Sequence, residues 1–174
     1  MSSKTFHLPE PRHDGSVSLE AVLRQRSSVR DFSNAALTSS ELSQLLWAAQ
    51  GVTHGDGFRT APSAGALYPL EIYVVAGRIQ DVENGVYQYQ PRTHQLTRIK
   101  HEDIRPALAA AALEQSCVNE GAALLVFSAV MERTTPEVWA AGHPLCPYGG
   151  GTRGAECIFA GGCVGYRRRG GGGV

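Results

Sequence analysis

Arg26-Ser27-Ser28-Val29-Arg30 sets two guanidiniums four residues apart with a hydroxyl between them. Arginine forks and a serine donor match the oxygens of a phosphate, so Arg26, Ser28 and Arg30 suit a phosphate-bearing ligand. The same pattern also fits a solvated face, with Arg30 beside Asp31 in a local pair of small energetic worth. Further along, Ala61-Pro62-Ser63-Ala64-Gly65-Ala66 is a loop of small residues running into the apolar stretch Leu70 to Val75. Pro62 and Pro69 stiffen it, and Gly65 allows a flat ligand to approach the backbone with no Cβ in the way. A plain connection before a strand would read similarly.

These residues need elements to position them. Ser18 is placed to cap a helix over 19–25 with Glu20 in its first turn, delivering Arg26, Ser28 and Arg30 at its end. Thr38-Ser39-Ser40-Glu41 is a capping box, followed by Leu42, Leu45, Leu46 and Ala49 at helical spacing up to a stop at Gly51. Trp47 on this helix suits the core or a dimer contact. The loop after it carries His54, which reads as an exposed residue, and Arg59, which suits a flavin ring, a carboxylate or plain surface charge. A strand over 71–75 follows the Pro/Gly loop. A hairpin over 85–89 and 95–99 comes next, its tyrosines reading as cross-strand packing. An alanine-rich helix over 104–115, with Pro106 in its first turn, and an apolar strand over 121–130 complete an α+β pattern.

Composition narrows the functional classes. Formal net charge is zero, so no global electrostatic argument favours nucleic acid or acidic partners. The first fifteen residues are polar and Pro-bearing, without the apolar centre of a leader, and read as a loose surface segment. No apolar run approaches the ~20 residues that span a bilayer. The expectation is a cytoplasmic protein whose cysteines form no disulfide framework.

The two segments together, with P-S-A-G-A-L-Y-P-L-E after R-x-S-x-R, resemble the nitroreductase superfamily of FMN-dependent oxidoreductases, most closely its SagB-type dehydrogenases. The resemblance covers residues 19 to 133. It implies an α+β nitroreductase-like fold, a central mostly antiparallel sheet with flanking helices. It implies FMN, with Arg26, Ser28 and Arg30 on its phosphate and ribityl chain and Pro62, Ser63, Ala64 and Gly65 against the isoalloxazine. Hydride transfer through flavin N5, with NAD(P)H or the substrate as donor, follows from the same likeness, as does an intertwined homodimer. Nitroreductases proper often carry Asn at the position of Ala66 and Gln at that of Tyr68. Their absence points to the SagB-type branch, which includes oxidases of azoline rings in peptides. No side chain stands out as an obligatory acid, base or nucleophile, and no catalytic residue is assigned.

The body, 16–133, is followed by a stretch of different character. Twelve of twenty glycines and three of four cysteines lie in the last thirty-nine residues, which close on Arg167-Arg168-Arg169 and four glycines. A Gly/Arg segment for RNA and a metal site from His143, Cys146, Cys157 and Cys163 are two readings. The arginine run lacks interleaved aromatics, and the cysteines lack the close pairing of structural zinc sites. A third reading is a slip of the coding frame near residues 134–136. Read one base later with synonymous codons chosen to suit, residues 136–174 yield E-A-G-H-A-A-Q-N, L-G-I-G and a valine-rich strand. Such a helix, turn and strand resemble what the family carries there, and residues 134–174 would then be an out-of-frame, disordered tail on an incomplete fold.

Overall fold

The computed structural model describes residues 4–133, 157–159 and 163–164. Its centre is an antiparallel sheet built from β1 (Thr5–His7), β2 (Leu70–Ala76), β3 (Gly85–Gln90), β4 (Gln95–Lys100), β5 (Ala123–Ala129), β6 (Cys157–Phe159) and β7 (Cys163–Val164). Strand order is β1-β4-β3-β2-β5-β6, with β7 also on β5. The helices are α1 (Leu19–Gln25), α2 (Ser39–Gln50), α3 (Arg105–Ala111) and α4 (Ser116–Glu120). The expected α+β architecture and flanking helices are present.

Period-two alternation decides the layers. On β2, Ile72, Val74 and Ala76 join Tyr87, Tyr89 and Leu125 in one core, sealed by Leu42 and Leu46 of α2. Val75 faces the other way and, with Val86 and Leu124, packs against Ile104, Leu108 and Val118 of the α3–α4 region. Register agrees, Val74 lying opposite Leu125 and Val75 opposite Leu124.

The expected start of α2 is realised in full. Thr38 Oγ1 accepts from the Glu41 amide while the Glu41 carboxylate accepts from the Thr38 amide. Leu42 and Leu46 are fully buried, but Leu45 is 37% exposed, because it lies off the stripe that faces the sheet. Gly51 ends the helix for a steric reason: its φ is −64°, and a Cβ there would fall 2.2 Å from Trp47 Cδ1.

Three expectations need correction. The helix expected over 104–115 stops early, at Ala111, because Leu113 and Glu114 adopt left-handed backbone with φ of 57° and 56°; α4 is a separate helix that begins only at Ser116. The amide of Glu114 donates to the Ala109 carbonyl at 2.8 Å, closing α3 in the manner of a Schellman motif built without glycine. The N-terminal segment is not loose from Lys4 onward. Thr5–His7 pairs with β4, Leu8 is buried, and Arg12 exchanges backbone hydrogen bonds with the Gln44 amide. Finally, the far edge of β5 is paired, with β6 opposite Phe127 to Ala129 and β7 opposite Ala123 and Leu124, strands that periodicity does not announce. The rest of 134–174, with His143, Cys146 and the terminal arginine run, lies outside the described residues. No described helix is long and apolar enough to cross a membrane.

Candidate functional site

The small-residue loop enters the sheet at the start of β2 and is held tightly by its own atoms. The Tyr68 amide donates to Ser63 Oγ at 2.9 Å, and the Ala66 amide to the Ser63 carbonyl at 3.1 Å. A short 3₁₀ turn, Ala64–Ala66, lies inside it, with Gly65 at φ 62°. Ala66 and Tyr68 are also left-handed, at φ 53° and 45°. Two side-chain-bearing residues held there mark a strained loop whose shape its surroundings enforce. Pro62, Ala64 and Gly65 are exposed and Ser63 is half-buried, so the loop offers its surface outward.

Arg26, Ser28 and Arg30 follow α1 directly and are exposed. Ser18 Oγ accepts from the Ala21 amide at 3.3 Å, so the cap works as the sequence implies. The chain then docks through Leu37, whose amide donates to the Arg78 carbonyl at 2.9 Å, and through Ser33, whose carbonyl accepts from Arg78 Nη2. Arg78 lies just beyond the end of β2. The chain after the arginine segment, and the Pro/Gly loop, therefore tie into the fold at opposite ends of one seven-residue strand, itself about 20 Å long at ~3.3 Å per residue.

A third set of residues, mostly silent in the sequence, surrounds a cavity of about 520 Å³ at the end of the sheet where β2 starts, β3 ends and β4 begins. Arg59, Arg92, Arg133, Glu71, Gln50 and Tyr89 line it, and none of the seven predicted cofactor residues does. Arg59 sits over Tyr68, its Cζ 4.3 Å from the ring centroid, and donates to Gln50 Oε1 at 3.0 Å. Its backbone amide donates to the Tyr68 hydroxyl at 3.1 Å. Burial lowers the Arg59 pKa, the Tyr68 side chain opposes this, and Arg133 and Arg92 push further down. Arg133 pairs with Glu71 and also donates to the Tyr68 carbonyl at 3.1 Å. Glu71 accepts further bonds from Gln88 Nε2 at 2.9 Å and the Tyr73 hydroxyl at 3.1 Å.

Behind the cavity wall runs a polar chain. Ser43 is fully buried and donates to the Pro9 carbonyl at 2.5 Å. With that proton committed, Ser43 Oγ accepts from His94 Nε2 at 2.7 Å, and His94 Nδ1 accepts from the Tyr89 hydroxyl at 2.8 Å. This assigns a neutral imidazole with its proton on Nε2. Burial holds the His94 pKa below its ordinary value, against the opposing Pro9 carbonyl and Glu10. Burial also raises Tyr89 to about 12, with Arg59 opposing. Tyr89 packs across the sheet as the alternation implies, but its partner, His94 in the hairpin turn, carries no signal of its own. His54 is exposed, as expected; its ring Nδ1 meets the hydroxyl of its neighbour Thr53 at 3.0 Å and its carbonyl accepts from the Gly57 amide at 3.0 Å.

Comparison with known proteins fits this architecture. A model of the nitroreductase family matches residues 23–144. A Methanocaldococcus jannaschii protein provisionally named a nitroreductase is 48% identical over 119 residues, which cover 68% of this chain and 60% of that protein. The chain thus spans about three-fifths of the length of that curated relative. A crystal structure from Ralstonia eutropha, also provisionally titled a nitroreductase, superposes with a TM-score of 0.64 at 31% identity, covering 76% of this chain and 59% of the other. One from Anabaena variabilis with a similar title gives 0.58 at 25% identity, over 68% of this chain and 25% of that one. With a family match that takes in both the arginine segment and the Pro/Gly loop, this chain belongs to the nitroreductase family.

Proposed function

We propose that the chain is built for FMN-dependent oxidoreduction of the SagB type. The family match across residues 23–144 supports the flavin-dependent oxidoreductase part of this reading, and Ala66 and Tyr68, where nitroreductases proper often carry Asn and Gln, support the SagB branch. The residues fit the group: Arg26 and Arg30 are exposed guanidiniums with no carboxylate partner among the described ion pairs. The Pro62–Gly65 loop is a rigid, outward-facing surface free of large side chains. Arg26, Ser28 and Arg30 would hold the phosphate and ribityl chain by charge-assisted hydrogen bonds, and the loop would back the isoalloxazine. FMN, when bound, supplies hydride transfer through N5, and the chain supplies position and electrostatics. NAD(P)H or the substrate is the donor, and azoline rings in peptides are the substrate class that fits the branch.

A homodimer completes this site. Since the arginine segment and the loop are anchored at opposite ends of β2, a second copy that sets its loop beside this chain's arginines closes the gap. α1 buries none of its residues, and Val17, Leu19, Val22 and Leu23 leave an apolar surface for such a contact.

We further propose that the frame slips near residues 134–136 and that the polypeptide as written binds FMN weakly. The abrupt change in composition supports this. The family match continues to residue 144, so the gene must be resequenced across 134–144. The decisive experiment is the visible spectrum of protein purified with added FMN. A gene corrected by one base should give yellow protein through gel filtration, while the uncorrected gene gives colourless or aggregated product. Flavin retained by the uncorrected chain sinks the weak-binding proposal and shows that the tail is tolerated; an intact frame on resequencing sinks the slip; a corrected, folded and colourless protein sinks the flavin reading.

A further inference from the structure

The cavity at the end of the sheet has a charge pattern that the flavin reading does not use. Among the described residues, three arginines and one carboxylate line it. Glu71 is committed to Arg133. Arg59 and Arg92 have no carboxylate partner among the described residues. Arg59 is fixed in place by the Tyr68 ring and Gln50 Oε1, which leaves other guanidinium donors uncommitted in the described contacts. Arg92 sits on the exposed β3–β4 turn and lines the cavity from there. Preorganised guanidiniums in a partly buried setting recognise carboxylate and phosphate groups by paired hydrogen bonds.

We propose that this cavity is an oxyanion site, taking a small molecule through a carboxylate or a phosphate held between Arg59 and Arg92. The volume, about 520 Å³, exceeds what a bare ion needs and falls within the range of small-molecule pockets. Leu70, Ile72 and Pro91 offer apolar contact to the body of the ligand, while Gln50, Gln88 and Thr97 can meet amide or hydroxyl groups. Oxyanion binding at this cavity is independent of flavin binding, which is read separately as visible absorbance.

The test is isothermal titration of the full chain, at low and high salt, with N-acetylphenylalanine and phenyl phosphate as the two oxyanion sources. N-acetylphenylalaninamide serves as the neutral control. At least one anion should bind while the amide does not, and which anion binds identifies the source. Arg92→Gln, on an exposed turn, should weaken binding about tenfold or more with an unchanged melting temperature, as expected for losing one charge-assisted contact. Glu71→Gln keeps an acceptor for Gln88 but frees Arg133, and should tighten binding. The opposite signs separate an electrostatic site from a merely structural effect. Equal binding of anion and amide to folded protein, or weakening by both substitutions alike, overturns the proposal.

Discussion

Helices α1 and α2 start with the same local chemistry and reach different environments. Each has a hydroxyl N-cap that accepts a backbone amide and a glutamate in its first turn. α2 buries Leu42, Ser43, Leu46 and Gln50, whereas α1 buries nothing, leaving Leu19 68% and Leu23 62% exposed. Caps and periodicity specify a helix; they do not specify what it packs on. A seven-residue helix without a packed face is marginal in water, so the segment delivering Arg26, Ser28 and Arg30 depends on a partner surface in a way that α2 does not.

Substitutions can sharpen this contrast. Leu46→Ala should be the most damaging, costing about 2–5 kcal/mol in chemical denaturation, because it opens a cavity between α2 and the sheet. Thr38→Ala removes half of the capping box and should cost about 1 kcal/mol by the same measurement. Leu23→Ala should change monomer stability by no more than about 0.5 kcal/mol, as expected at an exposed position. If it instead lowers the dimer fraction in sedimentation, α1 is covered by a second copy. A loss as large as that of Leu46→Ala would erase the distinction between the helices.

The α2 side also carries a pH signature. His94 has a lowered pKa in the folded chain, so on acidification the unfolded state takes up a proton that the folded state resists. Stability should therefore be full above the unfolded value near pH 6.5 and fall as pH drops below it toward the folded value. His94 sits at φ 47°, a backbone that asparagine tolerates. His94→Asn should flatten the acid-side slope of melting temperature against pH; an unchanged slope would show that another group controls it.

Much of the fold is legible in the residues because its signals are local. The capping box at Thr38, the alternation around 85–99 and the apolar run to Ala129 each encode an element within a dozen positions. Where the reading departs from the structure, the deciding contacts are long-range. Thr5–His7 is too short and polar to announce a strand, yet β4 offers it an edge. The helix from Arg105 breaks at Leu113 although alanine favours continuation, because the chain folds back into a left-handed close. Of the candidate sites, the arginine segment and the Pro/Gly loop are visible as contiguous motifs. The cavity is not, because its residues come from α2, the Arg59 loop, three strands, the hairpin turn and Arg133.

By itself the sequence determined the types of its main elements, the small-residue loop at the head of β2 and the family likeness, since all depend on nearest neighbours along the chain. Only tertiary structure decided that the two motifs tie in at opposite ends of one strand, that α1 stands unburied, and that Arg59, Arg92 and Arg133 share a cavity with the Glu71 carboxylate. Those outcomes depend on how an antiparallel sheet brings distant residues together, and no local pattern encodes that distance.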